Sequence, residues 1–212
     1  MKMKHSKTDY LTGCGILPKW HDKTLDQFTN DPVALETIKT YLKDPPKFLR
    51  KGVGLYLYGA NGVGKTHLLA TSFMQLIDAG YKCRIISPST LIQLHVDSWY
   101  NNERRAYFKE MIYRNHFLAI EDFNTEFRSS KGDNSDGANE NLGITALDNL
   151  LRVRSQLNLP TWVTSNLKPS EVKTKYSENI ASLLKEMTVQ CQVMGKDYRE
   201  TILKQNKNEL RD

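Results

Sequence analysis

Residues 53–69 of the chain read VGLYLYGANGVGKTHLL, and three different patterns follow one another in this stretch. Residues 53–58 are apolar on both faces, which is typical of a strand buried within a parallel sheet. Residues 59–64 contain three glycines and predict a tight turn. From residue 65 the apolar positions follow a helical spacing that ends before Gly80. The stretch therefore predicts a strand, a glycine-rich turn and a helix in direct succession.

The turn and the two residues after it match the pattern G-x-x-x-x-G-K-[ST] at every fixed position. Glycines in such a loop let backbone N–H groups point at phosphate oxygens, and the following helix N-terminus adds the positive end of its dipole. We expect Lys65 to reach the β- and γ-phosphates of ATP or ADP and the Thr66 hydroxyl to bind Mg²⁺. His67 is included because it follows the motif directly, without an acid–base role. The predicted nucleotide-binding residues are Gly59, Ala60, Asn61, Gly62, Val63, Gly64, Lys65, Thr66 and His67.

Two acidic residues, Glu121 and Asp122, follow a second buried-strand candidate at residues 117–120. A phosphate-binding loop of this type needs a carboxylate near its metal ion. Because successive side chains of a strand point to opposite faces, we expect the two acids to differ in role. Glu121 is expected to face Mg²⁺, directly or through water, and Asp122 to polarise the attacking water.

The remaining pattern alternates strands with helices, which predicts an α/β fold with a parallel sheet covered on both faces. A helix is expected from Asp31 as N-cap to the stop at residues 44–46, and residues 129–141 are rich in Gly, Ser, Asn and Asp and predict a mobile loop. The further strands are expected at 83–87, 161–164 and 189–194, and the further helices at 89–99, 103–115, 142–157 and 177–187. We divide the chain into a basic, partly disordered N-terminal arm (1–23), an ATPase domain (24–203) and a loose tail (204–212).

Composition excludes several classes of protein. No apolar run of the 212-residue chain approaches the roughly 18 residues of a membrane span, and the Lys-rich start lacks the apolar stretch of a signal peptide. Cys14, Cys83 and Cys191 are too far apart for a disulfide framework, which predicts a reducing, cytoplasmic location. The five histidines have no metal-ligand spacing, so no zinc is assigned. The net charge of +6 indicates a mild preference for polyanions.

Taken together, these motifs resemble those of the ATPase domain of the DnaC/DnaI helicase-loader and IstB family, a branch of the AAA+ ATPases. GANGVGKTHL at 59–68 is similar to the family's Walker A motif, including the trailing His-Leu, and PTWVTSNL at 160–167 resembles its sensor 1 strand. GKDYR at 195–199 resembles its closing signature. GILP at 15–18 with TLDQF at 24–28 resembles the segment that the family places beside the adenine.

The resemblance covers residues 14–203 and implies a three-layer P-loop AAA+ fold. Its five-stranded parallel sheet would have the order 5-1-4-3-2, with no separate C-terminal lid. Asn166 would sense the γ-phosphate and Arg199 would act as a sensor 2-type arginine, completing a catalytic set with Glu121 and Asp122. The implied function is an ATPase that assembles into a homo-oligomer with ATP, binds single-stranded DNA and places a replicative DnaB-type helicase on DNA in the cytoplasm.

The resemblance assigns the segment from Leu91 to Arg114 to single-stranded DNA. Its mixture of aromatic and basic residues suits stacking on bases and contact with phosphates, although the basic residues would equally suit a solvated face. The candidate DNA contacts are Trp99, Arg104, Arg105 and Lys109, with Arg128 and Lys131 as a second group.

Two departures from the family pattern concern hydrolysis. The order Glu121 then Asp122 differs from the family's Asp followed by Asp or Glu, and a shift of about 1 Å in a site can cost on the order of 100-fold in rate. Asn179 and Leu183 stand where the family carries arginines, so slow hydrolysis is expected unless another group supplies the charge. The candidates are Arg152, Arg154, Lys185 or a partner protein. Two alternatives therefore stay open: an IstB-like transposition helper that binds double-stranded DNA and a transposase, and a nucleotide-gated binding module with little hydrolysis.

Overall fold

The computed structural model describes residues 6–123 and 136–199, together with Leu203. The helices are α1 (Lys7–Gly13), α2 (Pro32–Lys43), α3 (Pro45–Lys51), α4 (Lys65–Asp78), α5 (Pro88–Tyr100), α6 (Asn102–Arg114), α7 (Asp136–Gln156), α8 (Val172–Lys175) and α9 (Glu178–Met187). The strands are β1 (Gly54–Tyr58), β2 (Cys83–Ile86), β3 (Phe117–Phe123), β4 (Thr161–Ser165) and β5 (Thr188–Gln192). Short 3₁₀ turns lie at Pro18–Trp20, Leu25–Gln27 and Pro169–Glu171. None of the helices in this described part is long and apolar enough to cross a membrane.

The five strands form one parallel sheet in the order β2-β3-β4-β1-β5, which confirms the predicted order read from the opposite edge. In a parallel sheet the carboxyl ends of all strands meet at the same edge. Strands β3, β4 and β1 are neighbours in the middle of the sheet. The segments that follow them, which carry the predicted acids, Asn166 and the glycine turn, are therefore brought together.

Helices cover both faces of the sheet and give three layers. Leu55 and Leu57 of β1 face a core shared with α2, α4 and the N-terminal segment, whereas Tyr56 faces a second core shared with α5, α6, α7 and α9. This alternation accounts for the apolar run of β1, because both of its faces are buried.

The structure differs from the expected partly disordered arm over residues 6–23. Ser6 and Asp9 form a capping box that begins α1, and Leu11 and Ile16 are 3% and 1% exposed in the first core. The Ile85 N–H donates to the Cys14 carbonyl oxygen (2.8 Å), so this segment covers part of the outer edge of β2. A helix of seven residues spans only two turns, too few to reveal a helical period in the sequence.

Local sequence determines where α2 and α3 begin. Asp31 caps α2 by accepting hydrogen bonds from the Val33 and Ala34 amides, both at 3.0 Å, as predicted. The predicted stop at residues 44–46 also begins α3, because Asp44 accepts from the Lys47 amide and a proline is tolerated in the first helical turn.

Helix α7 begins at Asp136, which corrects the predicted loop over residues 136–141, while residues 129–135 lie outside the described part.

Candidate nucleotide-binding site

The phosphate loop (residues 59–66) leaves the sheet at the end of β1. The Gly59 amide donates to the Ser165 carbonyl oxygen at 3.2 Å, which attaches the start of the loop to the end of β4. Gly62 and Gly64 have φ values of 75° and 100°, a region that glycine enters without steric cost. A Cβ at Gly64 would lie 2.6 Å from Phe28 Cε2, so the aromatic ring of the preceding segment packs directly on the loop.

Lys65 is the first residue of α4 and is only 6% exposed. Its Nζ donates to the carbonyl oxygens of Gly59 (2.8 Å) and Ala60 (2.7 Å) and to Asn166 Oδ1 (2.7 Å). Burial lowers the pKa of Lys65, and the carboxylate of Asp122 opposes that shift. The ammonium group is thus fixed inside the curve of the loop, where it can meet the phosphates of a nucleotide.

Asn166 follows β4 and connects two of the predicted motifs. An ammonium group can only donate, so Lys65 fixes the amide oxygen of Asn166 toward itself. The amide nitrogen of Asn166 then donates to Asn61 Oδ1 at 2.8 Å, on the exposed part of the loop. The structure therefore brings the predicted γ-phosphate sensor against the predicted phosphate loop.

Thr66 and Glu121 lie side by side at the same edge of the sheet. Burial raises the pKa of Glu121, while the Thr66 side chain, as a hydrogen-bond donor, opposes that rise. A hydroxyl and a carboxylate are ligands that Mg²⁺ accepts together with phosphate oxygens and water. The described residues contain no group of three or more His, Cys, Asp or Glu side chains that could hold a metal. The Thr66 hydroxyl and the Glu121 carboxylate therefore fit a magnesium ion that nucleotide phosphates would also help to bind.

Asp122 lies in an irregularity of β3. The pairing of β3 with β4 shifts between Ile120 and Phe123, Asp122 has a φ of 55°, and its amide donates to Thr164 Oγ1 at 2.9 Å. A bulge interrupts the alternation of side chains along a strand. The alternation on which the two predicted roles rested therefore does not hold here, although the charge of Asp122 still acts on Lys65.

The closing segment (residues 194–199) lies along the outer side of the phosphate loop. The Tyr198 amide donates to the Gly62 carbonyl oxygen at 3.0 Å, and Asp197 Oδ1 accepts from the Arg199 amide at 2.9 Å. The positive charge of Arg199 contributes to the lowered pKa of Lys65, after the larger effect of burial. The predicted sensor 2-type arginine thus belongs to the segment that flanks the phosphate loop.

The segment before α2 lies against the first turn of α4. His67 Nε2 is 2.9 Å from the Thr24 carbonyl oxygen, and its ring stacks on Trp20 with centroids 5.7 Å apart. Phe28 meets the same ring edge-on at 6.0 Å. Burial lowers the pKa of His67, which favours a neutral packing residue.

Of the three side chains considered as substitutes for the missing arginines, Arg154 has a structural role. It is 0% exposed and donates to Thr161 Oγ1 and to four carbonyl oxygens, those of Ile112, Asn115, His116 and Pro160. Arg152 pairs with Asp148 on its own helix at 3.1 Å, and Lys185 is exposed on α9. Arg154 cannot reach a neighbouring subunit, so that expectation was wrong for this residue.

The candidate DNA contacts lie on α5 and α6. Trp99 is 47% exposed and packs edge-on against the buried His95, and Arg104 and Lys109 are exposed. Arg105 uses its guanidinium within the chain, donating to the Ser98 carbonyl oxygen at 2.9 Å. The second predicted group, Arg128 and Lys131, lies outside the described residues.

Asn30 contacts the phosphate loop, although no sequence pattern predicts this contact. Its amide nitrogen donates to the Val63 and Lys196 carbonyl oxygens at 3.2 and 3.0 Å. These partners lie 33 and 166 residues away, and a lone Asn before a helix gives no sign of such contacts.

The phosphate loop between β1 and α4, in a five-stranded parallel sheet of this order, gives the chain the fold of an AAA+ P-loop domain. The expected likeness to the ATPase domain of the DnaC/DnaI loaders is confirmed by comparison with known proteins. The chain is 27% identical to the replicative helicase loader DnaI of Bacillus subtilis (strain 168) over 127 residues, which make up 60% of this chain and 37% of DnaI. No family model matches the chain.

Solved structures agree with this fold. The crystal structure of the DnaC helicase loader superimposes with a TM-score of 0.68 at 18% identity, covering 84% of this chain and 99% of that one. The replication initiator DnaA bound to AMPPCP and single-stranded DNA gives a TM-score of 0.64 at 20% identity, over 92% of this chain and 56% of DnaA. The chain thus spans about a third of the length of DnaI and about half that of DnaA.

Proposed function

We propose that this chain is an ATP-dependent DNA replication protein, a DnaC-like loader that binds ATP with Mg²⁺ and single-stranded DNA and places a replicative DnaB-type helicase on DNA. One observation carries the nucleotide site: Lys65, buried in the loop, contacts Asn166 across the edge of the sheet at which Thr66 and Glu121 also meet. The likeness to the helicase loaders DnaI and DnaC supports the replication role.

Each residue of the site has a task that follows from its chemistry. The amides of the phosphate loop and the Lys65 ammonium bind the phosphates of ATP, while Thr66 and Glu121 hold Mg²⁺, which when bound neutralises charge on the phosphate oxygens. Asn166 would orient the γ-phosphate, and Asp122 would accept a hydrogen bond from the attacking water.

We propose that hydrolysis by the isolated chain is slow and that a neighbouring subunit or a partner accelerates it. An arginine donated from a neighbour can be worth about 10³–10⁵ in rate. Arg154 is buried, Arg152 is paired, and Asn179 and Leu183 are uncharged. If chains with bound ATP assemble into a homo-oligomer, the exposed Lys185 of α9 remains a candidate for the cation that a neighbour supplies.

Phosphate release tests the nucleotide site. We expect wild type to release phosphate from ATP and Mg²⁺, faster with single-stranded DNA, and Lys65→Ala to fall to background. Lys43→Ala is the matched control, because Lys43 is an exposed lysine on α2 that pairs with Glu36 at 3.5 Å. A wild type that neither binds nor hydrolyses ATP would overturn the proposal.

Co-purification separates the loader from a transposition helper. The loader should retain a replicative helicase when ATP is present and lose it with Lys65→Ala, whereas a transposition helper should retain a transposase and prefer double-stranded DNA. Retention of the transposase without the helicase would overturn the proposed loader function and support the transposition helper.

A second candidate is a nucleotide-gated binding module with little hydrolysis. Two observations favour it: the bulge at Asp122 displaces the water-polarising group from regular strand geometry, and Arg154 is used inside the fold. Equal phosphate release by wild type and Lys65→Ala, with ATP still binding to wild type, would identify the module and exclude the ATPase.

A further inference from the structure

We infer that Asn30 is a positioning residue for the nucleotide site, because its side-chain amide joins the phosphate loop to the closing segment. This inference rests on the proposed ATP site. The two hydrogens of the amide nitrogen are used on different segments, one on the Val63 carbonyl oxygen (3.2 Å) and one on that of Lys196 (3.0 Å).

The neighbouring residue reinforces the same junction. Asp31 is 5% exposed, and while Oδ1 of its carboxylate caps α2, Oδ2 accepts from the Met194 amide at 2.8 Å. The position of the turn at residues 30–31 is therefore fixed by the start of α2. It can serve as a rigid point from which Asn30 reaches both segments.

The backbone of the closing segment is in close contact with this turn and with the loop. Gly195 has a φ of 133°, and a Cβ there would lie 2.8 Å from the Asn30 Cβ. A Cβ at Gly62 would lie 1.7 Å from Asp197 Oδ1, and one at Gly59 would lie 2.1 Å from the Val193 carbonyl oxygen. The closing segment thus packs along the outer side of the phosphate loop. The Asn30 side chain donates hydrogen bonds to both of them.

This arrangement has a functional consequence. Backbone amides bind phosphate well only when the loop already has the right shape, since ordering it during binding weakens affinity. Asn30 would hold the loop in that shape through its hydrogen bonds to the Val63 and Lys196 carbonyl oxygens. It also fixes the closing segment, and with it the distance between Arg199 and Lys65.

The test combines two measurements on the full chain, hydrogen–deuterium exchange without nucleotide and ATP binding by calorimetry. We expect Asn30→Ala to speed amide exchange in residues 59–64 and 195–199 together and to raise the Kd for ATP about 10-fold, with a Tm close to that of wild type. Asn30→Asp has the same shape but no donor, and its negative charge would face the two carbonyl oxygens, so it should loosen both segments at least as much as Asn30→Ala. Asn115→Ala is the matched control, because Asn115 Nδ2 donates to the Met111 carbonyl oxygen (2.8 Å) on α6.

Each outcome decides the inference. Unchanged exchange in Asn30→Ala overturns it, and so does faster exchange with an unaltered Kd for ATP. An Asn30→Asp variant that behaves like wild type shows that shape, not hydrogen bonding, matters, and also overturns it. If wild type fails to bind ATP although Asn30→Ala loosens both segments, the junction stands as a structural device and the proposed nucleotide function is what fails.

Discussion

At the scale of single residues, Glu121 combines a cost to stability with a proposed function. Burial raises its pKa in the folded chain, so the ionised form destabilises the fold at neutral pH. A group with a raised pKa stabilises the fold fully below its unfolded pKa, and this contribution is lost as the pH rises through the folded value. The ionised carboxylate of Glu121 beside Thr66 therefore lowers the stability of the wild-type fold at neutral pH.

Glu121→Gln should accordingly raise the Tm of the nucleotide-free protein at pH 7 by a few degrees, since about 1 kcal/mol corresponds to about 2–4 °C in a chain of this size. The difference should vanish below the ordinary carboxyl pKa of 4.5, where wild type is neutral as well. Thermal unfolding across pH measures this. Addition of ATP and Mg²⁺ should raise the Tm of wild type more than that of the variant, and an equal rise would argue against Glu121 at the metal.

Asp122 offers a separate test of catalysis. Asn tolerates the left-handed backbone conformation about as well as Asp does, so Asp122→Asn should leave the free energy of unfolding within about 0.5 kcal/mol of wild type. If the carboxylate polarises water, the rate of phosphate release should fall at least about 100-fold while the Kd for ATP changes little. A rate within a factor of two of wild type would remove Asp122 from the catalytic set.

At the scale of elements, Arg154 connects α7 to α6 and β4. Its guanidinium meets the carbonyl oxygens at the end of α6 and, through Thr161 and Pro160, the start of β4. Burial lowers its pKa to about 9. Hydrogen bonds from the guanidinium to these oxygen acceptors favour its charged form. Arg154 therefore satisfies buried backbone carbonyl groups where the three elements meet.

Arg154→Leu should reduce the free energy of unfolding by at least about 3 kcal/mol, because several buried carbonyls lose their donor at about 1–3 kcal/mol each. Arg152→Leu removes only an exposed pair with Asp148 and should cost at most about 1 kcal/mol. Urea unfolding of both variants gives the comparison. The loss of unfolding free energy in Arg154→Lys should lie between those of the two Leu variants, because Lys keeps the charge but lacks the planar guanidinium group. Similar values for Arg154→Leu and Arg152→Leu would refute the structural role.

Sequence patterns predicted the elements whose signals are local. The apolar run of β1, the glycine turn and the Asp31 cap each depend on adjacent residues, and each appears in the structure where expected. Helix α1 and the bulge at Asp122 were missed, since the helix has too few turns for a period and the bulge is fixed by pairing with β4. Resemblance to a known family supplied the strand order and Asn166, which spacing alone does not contain.

At the scale of the whole molecule, the two faces of the sheet have different proposed tasks. The face of α2 and α4 carries the phosphate loop helix, while α5 and α6 on the opposite face present Trp99, Arg104 and Lys109. We therefore expect substitutions on α5 and α6 to weaken the binding of single-stranded DNA and substitutions on α2 to leave it unchanged.

Affinity for single-stranded DNA, measured with ATP at several salt concentrations, tests this separation. The double variant Arg104→Ala/Lys109→Ala should lower the slope of log K against log salt by about 0.7 for each lost phosphate contact. Trp99→Ala should weaken binding by about 1–3 kcal/mol with an unchanged slope, because stacking releases no counterions. The control Lys39→Ala/Lys43→Ala removes two charges from α2, those of the half-buried Lys39 and the exposed Lys43. If that control lowers the slope as much as the first variant, DNA does not bind specifically to α6.

The three tryptophans lie in three different parts of the fold, and the fluorescence of each can report on its own surroundings. Trp20 stacks on His67 beside the phosphate loop, Trp99 is half exposed on α5, and Trp162 is enclosed between Tyr41 and Phe73 in the core. An indole in water emits at longer wavelength than one in an apolar interior. Variants that keep one tryptophan and carry phenylalanine at the other two positions would therefore follow nucleotide, nucleic acid and global unfolding as separate fluorescence signals, without any attached dye.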